Sequence, residues 1–221
     1  MDANRFDYDL PPDRIAQAAI EPRDSARLLI ARDLTEMPFR RLPDLLEPGD
    51  LIVVNTTRVR RARLVGTRVD TGGTVEVLVT RRIDDDRWEG LARPARRLRA
   101  GVTIALAGRT CTLLTDPHDG VVTFTFDPRS GVEEAIEAHG RVPLPPYFTG
   151  ELSDDDRYQT IFASRLGSAA APTAALHFTD AVVSACKERG VQFASVELEV
   201  GLDTFRPMAS DDLAHHEIHT E

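Results

Sequence analysis

Between Arg63 and Asp127 the chain breaks into six short β-rich runs at even spacing, and few folds accept such a pattern. The runs are 63–69, 74–82, 87–92, 102–106, 109–115 and 121–126, parted by Gly72-Gly73, Asp84-Asp85-Asp86, Gly101, Gly108 and Asp119-Gly120. Within the second run Val75, Val77 and Val79 alternate with Glu76, Leu78 and Thr80, so one face is dry and the other wet. Six half-buried strands with tight turns predict a small antiparallel barrel or sandwich. On either side of this block the chain changes character. Leu51-Ile52-Val53-Val54 is a continuous apolar run ending in Asn55-Thr56-Thr57-Arg58, which reads as a buried strand delivering polar groups at its carboxyl end. Ser130 is placed to cap a helix over roughly 132–139 that Gly140 closes. Thr179 is placed to cap a second helix running to Arg189, with Asp180 in its first turn and Lys187 and Arg189 in its last. Gly190 ends that helix, and 191–200 reads as a strand.

The expected architecture is therefore an α/β (α+β) domain, 1–62 and 143–221, interrupted by an inserted small antiparallel β-barrel domain, 63–142. At 221 residues the chain can bury a sizeable core. No apolar run approaches the roughly 18 residues that span a bilayer. The N-terminal MDANRFDYDL has neither the basic nor the apolar region of a secretion signal. Cys111 and Cys186 fit neither a disulfide framework nor a metal-binding CxxC. A cytoplasmic protein, with no membrane association, is expected. A net charge of −9 argues against indiscriminate binding along nucleic acid. The arginines nevertheless cluster, at Arg58, Arg60, Arg61, Arg63 and Arg68 and again at Arg93, Arg96, Arg97 and Arg99. Such clusters suit local anion sites or solvated faces.

Candidate site residues fall in several segments. Asn55, Arg58 and Arg63 follow the end of a strand, where ligands of α/β proteins tend to sit. Arg96 and Arg97, in Arg93-Pro94-Ala95-Arg96-Arg97, are candidates for RNA phosphates, with plain surface charge as the other reading. The stretch 143–178 is unusually furnished for a connector. Pro143, Pro145 and Pro146 precede Asp156, Arg157, Tyr158, Gln159 and Thr160, and the small-residue tract 168–175 leads to His177 and Phe178. His177 is a side chain able to titrate near neutral pH. Glu199 stands at the end of the 191–200 strand, and Asp203, Thr204, Phe205 and Arg206 follow it, the carboxylates as bases or ribose ligands. His215 and His219 have helical spacing, but HEIH is one residue short of a zincin motif, and no metal is expected.

In order, FDYDLPPDRIAQ (6–17), RDSARLL (23–29), PGDLIVVNTTRVRRARLVG (48–66), GGTVEVLV (72–79), RPARRLRAG (93–101), PLPPYF (143–148), DRYQTIFA (156–163), AAPTAALHF (170–178), VGLDTFRP (200–207) and HEIHTE (216–221) resemble the S-adenosylmethionine:tRNA ribosyltransferase-isomerase family of queuosine biosynthesis, the QueA family. The resemblance implies no prosthetic group and S-adenosylmethionine as co-substrate. The implied partner is tRNA carrying 7-aminomethyl-7-deazaguanine in its anticodon, acted on by a monomer. The ribosyl part of S-adenosylmethionine would move to that base and isomerise to give epoxyqueuosine-tRNA, with adenine and methionine released. A base such as Glu199 would take a proton made acidic by the sulfonium, and His177 or Tyr158 would assist the departure of adenine. Tyr158, Phe178 or Phe205 would face the sulfonium, and Arg58 or Arg206 would hold the methionine carboxylate. Asn55, Arg63, Arg157, Gln159, Thr173 and Thr204 complete the expected substrate contacts. The sequence departs from the family pattern at Ala175 and Asp203, where the pattern has glycine, and at Glu199, where it has histidine. Family members also continue beyond the position of Glu221 with further strands and helices of the α/β domain. A chain without them is expected to be an incomplete domain, and the competing reading is a noncatalytic fragment or divergent paralogue that only binds RNA or nucleoside.

Overall fold

The computed structural model describes residues 3–145, 147, 148, 150, 152 and 154–201. The chain divides into two compact units, Met1–Val59 with Leu144–Glu221, and Arg60–Pro143.

The second unit is a closed barrel. Its strands are β5 (Arg63–Arg68), β6 (Thr74–Arg82), β7 (Trp88–Arg93), β8 (Thr103–Leu106), β9 (Arg109–Leu113) and β10 (Val121–Asp127), in the order β10-β7-β6-β5-β8-β9, every pair antiparallel. Closure leaves no sheet edge exposed in the ring. The period-2 pattern fills the inside: Val75, Val77 and Val79 from β6 meet Val122, Phe124 and Phe126 from β10, with Trp88, Ile104, Leu106 and Leu113. Trp88, Phe124 and Phe126 pack edge to face, with centroids 5.5 and 6.2 Å apart. Each such side chain removed from water stabilises the barrel by roughly 1.5–3 kcal/mol.

Helix α1 (Val132–His139) buries Val132 and Ile136 against the barrel core. Its N-cap is Gly131, in the left-handed region at φ 68°, with no side-chain cap, so Ser130 does not cap it as expected. Gly140 does close the helix, but from extended backbone at φ −83° rather than a left-handed turn. A side chain is excluded there by a neighbour: a Cβ on Gly140 would be driven into the carbonyl oxygen of Arg61.

In the first unit β1 (Arg27–Ile30) pairs antiparallel with β2 (Thr35–Pro38). Strand β3 (Leu51–Asn55) pairs parallel with β12 (Gln192–Val196), and β4 (Thr57–Val59) pairs parallel with β11 (Arg165–Ser168). Helix α2 (Asp180–Glu188) connects toward β12. Thr179 caps it by accepting from the Val182 amide at 3.3 Å, and Gly190 at φ +85° turns the chain out of it. The core gathers Phe39, Phe178, Val182, Cys186 and Val191, with Ile52, Phe162 and Phe193 against it. The apolar run of β3 is buried on one face only. Ile52 and Val54 turn inward, whereas Leu51 and Val53 are 57% and 56% exposed. The uninterrupted run predicts burial on both faces; in the described residues only the face toward α2 and its core is covered.

Candidate functional site

At the carboxyl end of β3, Asn55 uses its whole amide to hold a later segment. Its Nδ2 donates to the Leu198 carbonyl at 2.7 Å, and its Oδ1 accepts from the Leu198 amide at 3.2 Å. The same Oδ1 accepts from the Thr57 amide at 3.1 Å. Thr57 is 2% exposed, and its Oγ1 lies 2.6 Å from Ser168 Oγ and 3.0 Å from the Leu198 carbonyl. Ser168 Oγ accepts from the Val200 amide at 3.0 Å, and the Ala169 amide donates to the Val200 carbonyl at 2.8 Å. Four segments are thereby knitted together: the end of β3, β4, the start of the small-residue tract, and 197–200. Pairing is what allows Thr57 and Ser168 to be buried at the centre of the network.

Over this network lies a cavity of about 360 Å³ lined by Thr57, Arg165, Glu197, Leu198 and Glu199. Arg165 Nη1 bonds the Glu197 carboxylate. Glu199 lies across Gly167, where an added Cβ would come 2.7 Å from its Oε1. With one guanidinium and two carboxylates, the lining carries a net negative charge, and such a cleft favours a cation.

The other expected site residues divide between exposed surface and internal structure. Arg58 pairs with Asp156 at 3.3 Å on the surface, a contact worth under about 1 kcal/mol. Arg157, with only 16% of its side chain exposed, bonds the Glu21 carboxylate and donates to the Ile20 carbonyl at 2.5 Å. Gln159 accepts from the Val59 amide at 3.0 Å and donates to the Val59 carbonyl at 2.9 Å, so its amide acts as one rung beside β4. Phe178 sits in the core, with its ring against Phe39, Phe162 and Phe193. His177 is half-buried with its ring 5.5 Å from that of Phe39, and Thr173 is exposed at the start of the same 3-10 turn, Thr173–His177. Ala175 packs against the same core.

Tyr158 is 7% exposed and its hydroxyl, like Thr160 Oγ1, is buried without a close hydrogen bond among the described residues. Burial pushes the phenol up to about 12, with the Ala171 backbone acting the other way. Arg63, Arg96 and Arg97 belong to the barrel unit: Arg63 clamps Glu76 at 2.7 and 2.9 Å, and Arg96 and Arg97 are exposed. Thr204, Phe205 and Arg206 lie outside the described residues, as do Pro146, Asp203, His215, His216 and His219.

Arg165, Gly167 and Glu197 were not among the expected site residues. Glu197 had a signal, because in Glu197-Leu198-Glu199 the two carboxylates stand two residues apart and so share a face of an extended chain. Arg165 had none, since its neighbours acquire meaning only when β11 pairs with β4.

A family model described as queuosine biosynthesis protein matches residues 3–221. The chain is 43% identical over its full length to S-adenosylmethionine:tRNA ribosyltransferase-isomerase of Desulfitobacterium hafniense and 44% identical to the protein of that name from Symbiobacterium thermophilum. It spans 67% of each of these relatives. A crystal structure of S-adenosylmethionine tRNA ribosyltransferase from Thermotoga maritima is 30% identical, with 90% of this chain and 59% of that one covered at a TM-score of 0.34. The chain belongs to the queuosine biosynthesis protein family, whose members include the S-adenosylmethionine:tRNA ribosyltransferase-isomerases.

Proposed function

We propose that this chain transfers and isomerises the ribosyl part of S-adenosylmethionine onto the 7-aminomethyl-7-deazaguanine base of tRNA, giving epoxyqueuosine-tRNA and releasing adenine and methionine. The observation that carries the reading is identity of 43–44% over the full length of the chain to two enzymes of that name. The acidic cleft supports it. A sulfonium is a fixed cation, and a carboxylate-lined cavity at the ends of parallel strands offers it compensating charge.

The chemistry begins with a C–H bond next to the sulfonium, which the positive charge acidifies. Glu199 is the candidate to accept that proton, since its carboxylate makes no ion pair among the described residues whereas Glu197 is held by Arg165. A carboxylate positioned by contact with Gly167 supplies general-base catalysis worth roughly 10²–10⁴-fold. Adenine must leave with a proton or a hydrogen bond on its ring. Of the two candidates, His177 is half-buried and within reach of a ligand, whereas Tyr158 is 7% exposed and its phenol is enclosed. The base of the tRNA would be read unpaired, as single-stranded loops are. The protein would work as a cytoplasmic monomer without a prosthetic group.

The test is incubation of the purified protein with labelled S-adenosylmethionine and tRNA bearing the aminomethyl deazaguanine base. Release of adenine together with label in the tRNA is expected. Retained tRNA binding without adenine release would replace this reading by that of a noncatalytic RNA-binding relative.

A further inference from the structure

The whole chain carries a net charge of −9, yet its barrel unit, Arg60–Pro143, holds fourteen arginines against twelve carboxylates. The distribution of those charges is lopsided along β7. At its start, the turn Asp84–Arg87 is internally neutralised: Asp84 is held by Arg87, Asp85 by Arg82 and Asp86 by Arg129. At its end, about 17 Å away at the rise of an extended strand, stands Arg93, followed by Arg96, Arg97 and Arg99 with no acidic residue up to Gly101.

The nearby carboxylates are already engaged. Glu76 is the cross-strand partner of Arg93, but its Oε2 is clamped by Arg63. Asp70 is bound by Arg68 at 2.5 and 2.9 Å, and Asp116 accepts from the Ala100 amide at 2.8 Å. Arg93, Arg96 and Arg97 are exposed, and their guanidinium groups have no carboxylate partner among the described residues. The loop beneath them is nonetheless fixed. Leu98 is fully buried in the barrel core, Arg68 Nη1 donates to the Arg97 carbonyl at 2.6 Å, and Arg99 Nη1 donates to the Leu98 carbonyl at 2.5 Å. A rigid loop carrying three unneutralised forks pays little ordering entropy when it meets an anion.

We infer that the β7–β8 loop, through Arg93, Arg96 and Arg97, binds the sugar-phosphate backbone of the RNA substrate. The inference rests on the proposed action on tRNA and names the surface that positions it. Contacts of this kind fix register and carry no sequence information, so they would contribute affinity while the base is read elsewhere.

The experiment measures binding of an anticodon stem-loop RNA, by fluorescence anisotropy across a salt series, to the wild-type chain, to Arg93→Ala/Arg96→Ala/Arg97→Ala, and to the charge-matched control Arg81→Ala/Arg82→Ala/Arg87→Ala. Thermal denaturation of each variant, with the anchors Leu98 and Arg68 left in place, shows that it is folded. The loop variant is expected to lose about one unit of the slope of log K against log salt per arginine removed, while the control loses less than one in all. Equal losses in both variants would reduce the effect to overall charge, and an unchanged slope in the loop variant would remove the loop from the interface; either result overturns the inference. Failure of the wild-type chain to bind RNA at all would instead overturn the proposed function.

Discussion

Glu199 rests against Gly167 so closely that even a methyl group on the glycine would meet its carboxylate oxygen at 2.7 Å. The obstructing atoms are the end of a flexible, exposed side chain, so Gly167→Ala is expected to displace the carboxylate rather than the backbone. Stability should change by under about 0.5 kcal/mol, as for other surface substitutions, while kcat for adenine release falls and KM for S-adenosylmethionine holds. Glu199→Gln keeps the shape but removes the base, and should lower kcat by about 10²-fold or more. A pair of variants with wild-type kcat would take both residues out of the reaction.

The Tyr158 hydroxyl is buried with no close acceptor for its proton among the described residues, and a donor in that condition lowers stability. Tyr158→Phe is therefore expected to leave the melting temperature unchanged or to raise it, by up to about 1 kcal/mol of stability. Adenine release should persist. Loss of turnover with an unchanged melting temperature would instead place the hydroxyl in the reaction.

Alkaline pH should weaken the fold, most strongly through two groups. Burial raises the Tyr158 phenol from 10.0 to about 12 and the Cys111 thiol from 9.0 to about 12. Both are neutral when protonated, so between the unfolded and folded values the native chain holds protons that the unfolded chain has released. Their contribution is complete below about pH 9 and is lost as pH rises toward 12. Urea midpoints measured from pH 8 to 11 should fall across that window, and less steeply in Tyr158→Phe. A flat profile would show that neither group is shut away from water. By the same burial, Cys111 should resist alkylation in the native protein.

The barrel was legible because its signal is local. Alternation of Val75, Val77 and Val79, with glycine and aspartate at the turns, specifies strands without knowledge of any neighbour. The observed strands begin or end within two residues of the expected runs. Gly140 was legible as a helix end but not for its reason, since the Arg61 carbonyl that excludes a side chain lies far away in sequence. The same limit applies to the site. A polar cluster such as Arg157-Tyr158-Gln159 announces hydrogen bonds to be made, but not whether a ligand or the chain's own backbone makes them. Arg157 is spent on Glu21 and Ile20, and Gln159 on Val59. Glu199 was legible as a carboxylate at the end of a strand, whereas the partners that shape its cleft, Arg165 and Gly167, came from a strand pairing that composition does not foretell.

Gln159 separates these alternatives experimentally. Its amide satisfies both the N–H and the C=O of Val59, the last residue of β4. Gln159→Glu keeps the shape and the acceptor but sets a carboxylate oxygen against the Val59 carbonyl, leaving that carbonyl without its donor. The cost of an orphaned, part-buried acceptor is about 1–3 kcal/mol, which for a chain of this size shifts the melting temperature by roughly 2–4 °C per kcal/mol. A backbone role predicts that this loss appears in thermal denaturation while the affinity of the folded variant for S-adenosylmethionine, measured by calorimetry below the transition, stays within about twofold of wild type, a difference under about 0.5 kcal/mol. An unchanged melting temperature with weakened binding would mean that the amide leaves Val59 to hold the ligand.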